Sequence, residues 1–174
     1  TVHARGVERF AGEAAEAGAD GVILPDWPPD EGGGLREALA RAGLAAVGLV
    51  SPVSPVGRIA QIAAASQGFL YAVSVTGVTG ERPRLSRELE PLVQRIRRAS
   101  SLPVAAGFGI SRPEDAAAAG RLCDGVIVGS ALARRIAEAQ GQNLGRLARQ
   151  VAAAFREALE GGPRLAADGA GVPG

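Results

Sequence analysis

Glycine-rich turns that follow short apolar runs are the part of this sequence with the clearest chemical meaning. Three segments share the pattern: residues 71–80 (YAVSVTGVTG), 102–111 (LPVAAGFGIS) and 124–130 (DGVIVGS). A short apolar run bounded by turn residues is typical of a strand that is buried on both faces. Glycine lets the backbone turn sharply and approach a ligand, and backbone N–H groups beside a helix N-terminus bind phosphate. The segments therefore predict a phosphate site at the carboxyl ends of parallel strands.

Alternating strand and helix patterns surround these segments. The spacing of apolar residues predicts strands over residues 21–24, 45–50, 69–75, 103–106 and 125–128. It predicts helices over residues 6–17, 33–42, 55–66, 86–100, 112–120, 131–139 and 144–159. Strict alternation indicates a parallel sheet with right-handed crossovers. We expect one domain over residues 1–160 and a flexible tail, rich in Gly, Pro and Ala, over residues 161–174.

Two helix starts carry capping signals. Ser54 followed by Pro55 predicts an N-cap and a first helical residue. Ser111 and Glu114 have the spacing of a capping box, with Pro113 in the first turn. Both signals place a helix N-terminus shortly after a predicted strand.

The order of elements fits either an open doubly wound sheet or part of an eight-stranded barrel. No Gly-x-Gly-x-x-Gly pattern follows a first strand, which argues against a dinucleotide-binding sheet. Paired glycine loops after the last strands are where barrels hold phosphate. The 174 residues fall short of the roughly 200 that a full barrel needs. We therefore predict an α/β chain that forms a partial (β/α)8 TIM barrel, about five parallel βα units corresponding to strands 4–8.

Composition and charge argue against several classes of function. The net charge is +1 and the basic residues are interleaved with Glu, so neither a nucleic acid nor an anionic membrane is an expected partner. A single Cys, Cys123, excludes an internal disulfide and fits a reducing compartment. The sequence has no membrane-spanning run, no signal-peptide pattern, no metal-ligand spacing and no Ser/His/Asp set. We expect a cytoplasmic protein without a metal.

Four motifs carry a resemblance to a known enzyme family. They are residues 21–29 (GVILPDWPP), 73–80 (VSVTGVTG), 102–111 (LPVAAGFGIS) and 124–130 (DGVIVGS). In this order and spacing they resemble the tryptophan synthase α subunit, and the resemblance extends to about Leu159. It implies a (β/α)8 barrel that cleaves indole-3-glycerol phosphate to indole and glyceraldehyde 3-phosphate by a retro-aldol step, without a cofactor. It also implies a partner, the pyridoxal-phosphate β subunit of an α2β2 complex, to which indole passes.

The resemblance assigns substrate contacts to several residues. It implies that the phosphate rests on backbone groups around Gly80, Phe108, Gly109, Gly129 and Ser130, and that the Phe108 ring faces the indole. The residues themselves agree, because Ser130 opens a predicted helix whose N–H groups point at the strand ends. The structural alternatives are glycines that serve only as turns and a Phe108 that packs in the core.

Supporting roles in catalysis and partner binding also come from the resemblance. Tyr71 would face the reacting part of the substrate, Thr79 matches a loop threonine that contacts the catalytic Asp when the loop closes, and Asp26 matches the acidic residue of a Pro-Asp-Leu-Pro motif. The alternatives are a core tyrosine, a solvent-facing turn threonine and a loop-capping aspartate. Trp27 stands where Leu is more usual and Pro28 where the family contacts its β subunit, so this pair is the predicted partner surface.

The resemblance also shows what this sequence lacks. Family members carry a catalytic Glu at the end of the second strand and a catalytic Asp in the following loop, in a stretch like E-x-G-x-P-F-S-D-P that is not present here. Because Thr1 corresponds to a position just after the third strand, we expect the first three strands to lie outside this chain. The chain alone then has no useful turnover, and open strand edges at Val22 and Val126 invite association with another chain.

Two other functions stay open at this point. One is a different phosphate-binding barrel enzyme, acting on phosphoribosyl anthranilate or in indole-glycerol phosphate synthesis, although the SVTGVTG loop argues against it. The other is a noncatalytic half-barrel that binds phosphate ligands or activates a partner subunit. Binding without turnover, even after an N-terminal fragment is supplied, would favour the second.

Overall fold

A parallel sheet with helices packed against it makes up the described part of the chain. The computed structural model describes residues 2–23, 25, 33–73, 82–139 and 143–161. The strands are β1 (Gly21–Ile23), β2 (Ala45–Val50), β3 (Leu70–Val73), β4 (Val104–Gly107) and β5 (Gly125–Val126). The helices are α1 (Val2–Arg5), α2 (Val7–Glu16), α3 (Gly33–Arg41), α4 (Val56–Ala64), α5 (Arg82–Ala99), α6 (Pro113–Gly120), α7 (Ser130–Glu138) and α8 (Leu144–Glu160). None of these described helices is long and apolar enough to cross a membrane.

The strand order decides between the two architectures that the sequence left open, a doubly wound sheet and part of a barrel. The sheet runs β1-β2-β3-β4-β5, and every neighbouring pair is parallel. A doubly wound sheet reverses its order at a switch point, whereas a barrel adds each strand beside the preceding one. Right-handed crossovers that all proceed in one direction place the connecting helices on one face. The prediction of a partial barrel is confirmed, and β1 and β5 lie at the two ends of the described sheet.

β2 pairs with its two neighbours through different halves. Residues 45–47 pair with β1, whereas residues 48–50 pair with β3. Closing a sheet into a barrel requires neighbouring strands to be staggered and tilted in this manner. The register of β2 therefore gives the sheet barrel-like geometry in its first half.

Alternation along the central strands divides the sheet into two faces. Leu70, Ala72, Val104 and Ala106 are fully buried and join residues of α4 to α8 in the larger core cluster. A smaller cluster around Leu39 joins α2 and α3 to β1 and β2. The residues between these strand positions, Tyr71 among them, point to the opposite face.

Prolines explain two differences between the predicted and observed boundaries. α5 begins at Arg82, four residues before the predicted start, because Pro83 is tolerated in a first helical turn. β4 begins at Val104 because Pro103 has no N–H for the ladder. Pro103 contributes only its carbonyl, which accepts a hydrogen bond from the Leu70 N–H at 2.8 Å.

The remaining elements agree with the prediction to within two residues, and one short helix is additional. α1 was not predicted. β5 ends at Val126 rather than residue 128, although the Ile127 N–H still donates to the Ala106 carbonyl at 2.8 Å. Residues 24, 74 and 75, predicted as strand, and residues 162–174 of the predicted tail lie outside the described ranges.

Ser54 is not the N-cap of α4, contrary to the sequence prediction. Pro55 holds that position in an extended conformation, and its carbonyl accepts from the Ile59 N–H at 3.0 Å. The fixed φ of proline suits the residue before a helix as well as the first residue within one. The Ser54 hydroxyl instead accepts from the Ser51 N–H at 3.1 Å, within the preceding loop.

The cap of α6 is shifted by one residue from the predicted capping box. Arg112 is the N-cap and Pro113 is the first helical residue. The Asp115 carboxylate, rather than that of Glu114, accepts from the Arg112 N–H at 3.0 Å. Asp115 stands three residues after the N-cap, which is the position from which a side chain reaches back to the N-cap N–H.

Cys123 is a small buried core residue. Burial raises the pKa of its thiol to about 12. The thiol therefore stays protonated and weakly nucleophilic at neutral pH, which fits a packing role.

Gly48 marks a close approach between the sheet and α4, and we predict that Gly48→Ala destabilises the fold. An added Cβ would lie 2.6 Å from the Ile62 side chain and would collide with the Ser66 hydroxyl. We expect the free energy of unfolding, measured with urea, to fall by about 1–3 kcal/mol.

The matched control for this substitution is Gly57→Ala. No atom lies within 4 Å of an added Cβ at this position in α4. Alanine is the better helix former, so we expect a gain of about 0.5–1 kcal/mol. A Gly48→Ala variant as stable as the Gly57→Ala variant would contradict the described packing of α4 on β2.

Candidate active site

The carboxyl ends of β3, β4 and β5 lie at one edge of the sheet, because the three strands are parallel. Five residues predicted to belong to the site are described on these strands or just beyond their ends: Tyr71, Phe108, Gly109, Gly129 and Ser130. The other five lie outside the described residues: Asp26, Trp27, Pro28, Thr79 and Gly80.

Tyr71 lies on the face of the sheet opposite the helices. Its neighbours Leu70 and Ala72 are fully buried on the helix side, so the alternation of β3 points the Tyr71 ring the other way. The Phe108 ring meets it edge-on, with 5.7 Å between ring centroids and 61° between ring planes. Burial raises the pKa of the Tyr71 phenol. The phenol is therefore protonated at neutral pH and can donate a hydrogen bond.

Gly107 makes room for the Tyr71 ring. In the β3–β4 register Tyr71 pairs with Ala105 and Val73 pairs with Gly107, so Tyr71 and Gly107 share one face. A Cβ added at Gly107 would collide with the phenol hydroxyl and with the ring carbon that carries it. This contact was not predicted from the sequence, although parallel pairing of the two motifs contains the signal.

Phe108 and Gly109 form a left-handed turn directly after β4. The backbone φ is 67° at Phe108 and 75° at Gly109. Glycine adopts this region readily, but a bulky residue does so at a cost of about 1–3 kcal/mol. The turn leaves the Phe108 side chain 58% exposed, so it does not pack in the core as the structural alternative required.

The N-terminus of α7 follows β5 at the same edge. Gly129 is the N-cap, and its carbonyl accepts from the Ala133 N–H at 3.0 Å. Ser130 is the first helical residue and is exposed. The N–H groups of a first helical turn have no partner within the helix, and the helix dipole makes this end attractive to an anion. Ser130 and the two residues after it thus offer donors for a phosphate.

These parts combine two kinds of binding at one edge. Gly109 of the left-handed turn and the α7 N-terminus offer backbone donors to an anion, and the exposed Phe108 ring, edge-on against the buried Tyr71 ring, offers an apolar aromatic surface. Within the described ranges, no group of three His, Cys, Asp or Glu side chains could hold a metal ion. The arrangement suits a ligand with a phosphate at one end and a planar apolar group at the other.

Comparison with known proteins decides the family. The model of the family described as tryptophan synthase alpha chain matches residues 1–160. The chain belongs to this family. The resemblance carried by the four motifs is therefore confirmed, and the alternative of a different phosphate-binding barrel enzyme is set aside.

Curated tryptophan synthase alpha chains match this chain over part of their own length. Those from Geotalea daltonii and a Caulobacter species are 44% and 45% identical to it over 139 residues. The match covers 80% of this chain, and 53% and 50% of the two relatives. The chain spans about half the length of the curated relatives it matches.

Solved structures of the family agree with the described fold. Tryptophan synthase subunit alpha from Legionella pneumophila matches with a TM-score of 0.78 at 34% identity, over 91% of this chain and 59% of that chain. Tryptophan synthase from Mycobacterium tuberculosis matches with a TM-score of 0.79 at 38% identity, over 91% and 58% of the two chains.

In this member of the tryptophan synthase alpha chain family, we predict that Gly107 and Tyr71 are energetically coupled. Gly107→Ala forces the Tyr71 ring to move and should lower the free energy of unfolding by about 1–3 kcal/mol. In a Tyr71→Ala background the obstacle is gone, so the same substitution should cost less. A double-mutant cycle measured by urea unfolding gives the coupling energy.

Gly125→Ala is the control for this cycle. The nearest atom to its added Cβ is the Ala105 Cβ at 3.6 Å, an ordinary contact, so we expect a change within about 0.5 kcal/mol. Additive effects of Gly107→Ala and Tyr71→Ala would show that the ring does not occupy the space over Gly107.

Proposed function

We propose that this chain carries the phosphate- and ring-binding part of a tryptophan synthase alpha-type lyase, which cleaves indole-3-glycerol phosphate to indole and glyceraldehyde 3-phosphate in tryptophan biosynthesis. The observation that carries the proposal is the coincidence of the family match with a sheet edge that holds both an aromatic pair and a helix N-terminus. These features suit the two ends of that substrate, a planar apolar ring and an anionic phosphate.

The reaction breaks the carbon–carbon bond between the indole ring and the glycerol chain. An acid protonates the ring carbon at this bond, and a base removes the proton of the adjacent hydroxyl. The oxygen then forms the aldehyde carbonyl while the pair of the broken bond returns to the ring. In this scheme Phe108 contacts the ring, the neutral Tyr71 phenol lies near the reacting carbon, and Gly109, Gly129 and Ser130 hold the phosphate.

We assign the acid and the base to the two carboxylates that the family resemblance implies and that this sequence does not contain. Contacts to unreactive parts of the substrate supply binding energy but do not replace groups that act in the transition state. The chain alone should therefore have no useful turnover. Asp26 and Thr79 receive supporting roles and Gly80 a phosphate contact in this proposal, and all three lie outside the described residues.

The proposed partner is a tryptophan synthase β subunit, to which the indole would pass. Trp27 and Pro28 form the proposed partner surface, because aromatic residues are enriched in protein interfaces. The proposed reaction needs no cofactor of its own, since an acid and a base are sufficient for a retro-aldol step.

The two ends of the sheet are the proposed positions for further strands. β1 and β5 each have one neighbour in the described sheet. Unpaired backbone groups along an end strand can pair with another strand. We propose that three more parallel βα units, supplied by a separate fragment or by the same longer protein, complete the barrel and bring the two carboxylates to the site.

Indole release from indole-3-glycerol phosphate tests the proposal. We expect none from the chain alone, and release after addition of a family fragment that contains the first three βα units. Release from the chain alone would show that carboxylates within this sequence, Asp26 first, perform the chemistry. Binding without release in both cases would favour a noncatalytic half-barrel that binds phosphate ligands or activates a partner.

Ser130→Glu tests the phosphate position separately. A carboxylate at the start of α7 favours the helix itself but repels a phosphate there. We expect the affinity for glycerol 3-phosphate, measured by calorimetry, to fall roughly tenfold. Ser101→Glu is the matched control, because Ser101 is also exposed but precedes β4 at the opposite edge of the sheet. Equal affinities of the two variants would remove α7 from the phosphate site.

A further inference from the structure

Arg95 of α5 reaches the turn that joins β2 to α4. Its Nη2 group donates to the Pro52 carbonyl at 2.7 Å, and its Nη1 group donates to the Ser54 carbonyl at 3.0 Å. Hydrogen bonds from a charged donor are stronger than neutral ones, and the half-buried position of Arg95 limits competition by water. A guanidinium presents its donors as a planar fork, so one side chain can bridge two carbonyls that a lysine ammonium is less suited to hold together.

Apolar packing contributes little to holding this turn. Val53 is 86% exposed, and Val56, the first residue of α4, is 68% exposed. Within the turn, the Ser54 N–H donates to the Ser51 carbonyl at 3.0 Å, and the Ser51 N–H donates to the Ser54 hydroxyl at 3.1 Å. The turn is therefore a small hydrogen-bonded unit that Arg95 ties to the helix layer.

The turn continues directly from the strand beside Tyr71. In the β2–β3 register Leu49 pairs with Tyr71, so the two side chains share the face that carries the candidate ring site. Because the turn follows Val50 directly, a displacement of the turn would act on the end of β2 and hence on Leu49. Gly109 and Ser130 follow β4 and β5, on the other side of β3 from the turn.

We propose that Arg95 is a positioning residue for the ring end of the site. By tying down the β2–α4 turn it keeps Leu49 in register beside Tyr71, while the phosphate end does not depend on it. That this end of the site binds a ring rests on the proposed function. The hydrogen bonds from Arg95 to the turn, and their effect on Tyr71, do not depend on that function.

The test compares three variants of the full chain. Arg95→Met removes the donors and keeps a long unbranched side chain, and Arg95→Lys keeps the charge but loses the fork. Arg98→Met, at an exposed position in the last turn of the same helix, is the matched control. Tyr71 is the chain's one tyrosine, so isotope-labelled tyrosine gives a single set of ring resonances by NMR. Amide exchange at Ser51, Val53 and Ser54 reports on the turn.

We expect Arg95→Met to weaken the binding of free indole by roughly three- to tenfold, a modest part of what two charge-assisted hydrogen bonds contribute. The Tyr71 resonances should shift and amide exchange in the turn should accelerate, while the affinity for glycerol 3-phosphate stays unchanged. Arg95→Lys should lie between Arg95→Met and the parent chain, and Arg98→Met should match the parent. If Arg95 only stabilised the fold, its replacement would lower the affinities for indole and for glycerol 3-phosphate together.

Unchanged indole affinity and Tyr71 resonances in Arg95→Met would overturn the inference, and so would an equal loss of both ligands. If neither the parent chain nor any variant binds indole, the proposed role of this site in binding the substrate ring is wrong. The Tyr71 resonances and the exchange rates then still decide whether Arg95 positions the strand pair. If Arg95→Met does not fold, Arg95→Lys supplies the same comparison.

Discussion

The pairing of β3 with β4 is the interaction on which the candidate site depends. Its register gives the Tyr71 ring its space over Gly107 and brings the Phe108 ring against it. A slip of one residue would turn Tyr71 toward the helices and expose Leu70 and Ala72, which are fully buried in the core. The same backbone hydrogen bonds therefore maintain both the helix-side core and the aromatic surface of the site.

The two ends of the site are held in place by different forces. The proposed phosphate end relies on α7, whose second residue, Ala131, is buried in the larger core together with Phe155 of α8. Because a helix dipole acts over little more than its first turn, this packing has to hold the α7 N-terminus close to its ligand. The ring end instead borders an exposed turn that hydrogen bonds from Arg95 tie to α5. Changes in packing and changes in polar contacts should thus affect different ends.

The strained turn at Phe108 links these two ends. A phenylalanine in the left-handed region costs conformational energy, and its largely exposed ring recovers little of this cost by burial. The same turn directs the ring toward Tyr71 and continues into Gly109. The proposed contact with the substrate ring would account for a bulky residue at a position where glycine would be less strained.

The sequence by itself determined the order of the elements, the parallel partial barrel and the place of the glycine turns. Apolar periodicity and the conformational freedom of glycine are local properties, and alternating strands and helices leave few topologies. The cap of α4 was misplaced because Pro55 itself takes the extended N-cap conformation, and the cap of α6 because the neighbouring Glu114 and Asp115 both offered a carboxylate for the cap N–H. Only the tertiary structure decided that Tyr71 lies over Gly107 and that Arg95 holds carbonyls 41 and 43 residues away. These contacts depend on strand register and helix packing, which join residues far apart in the chain.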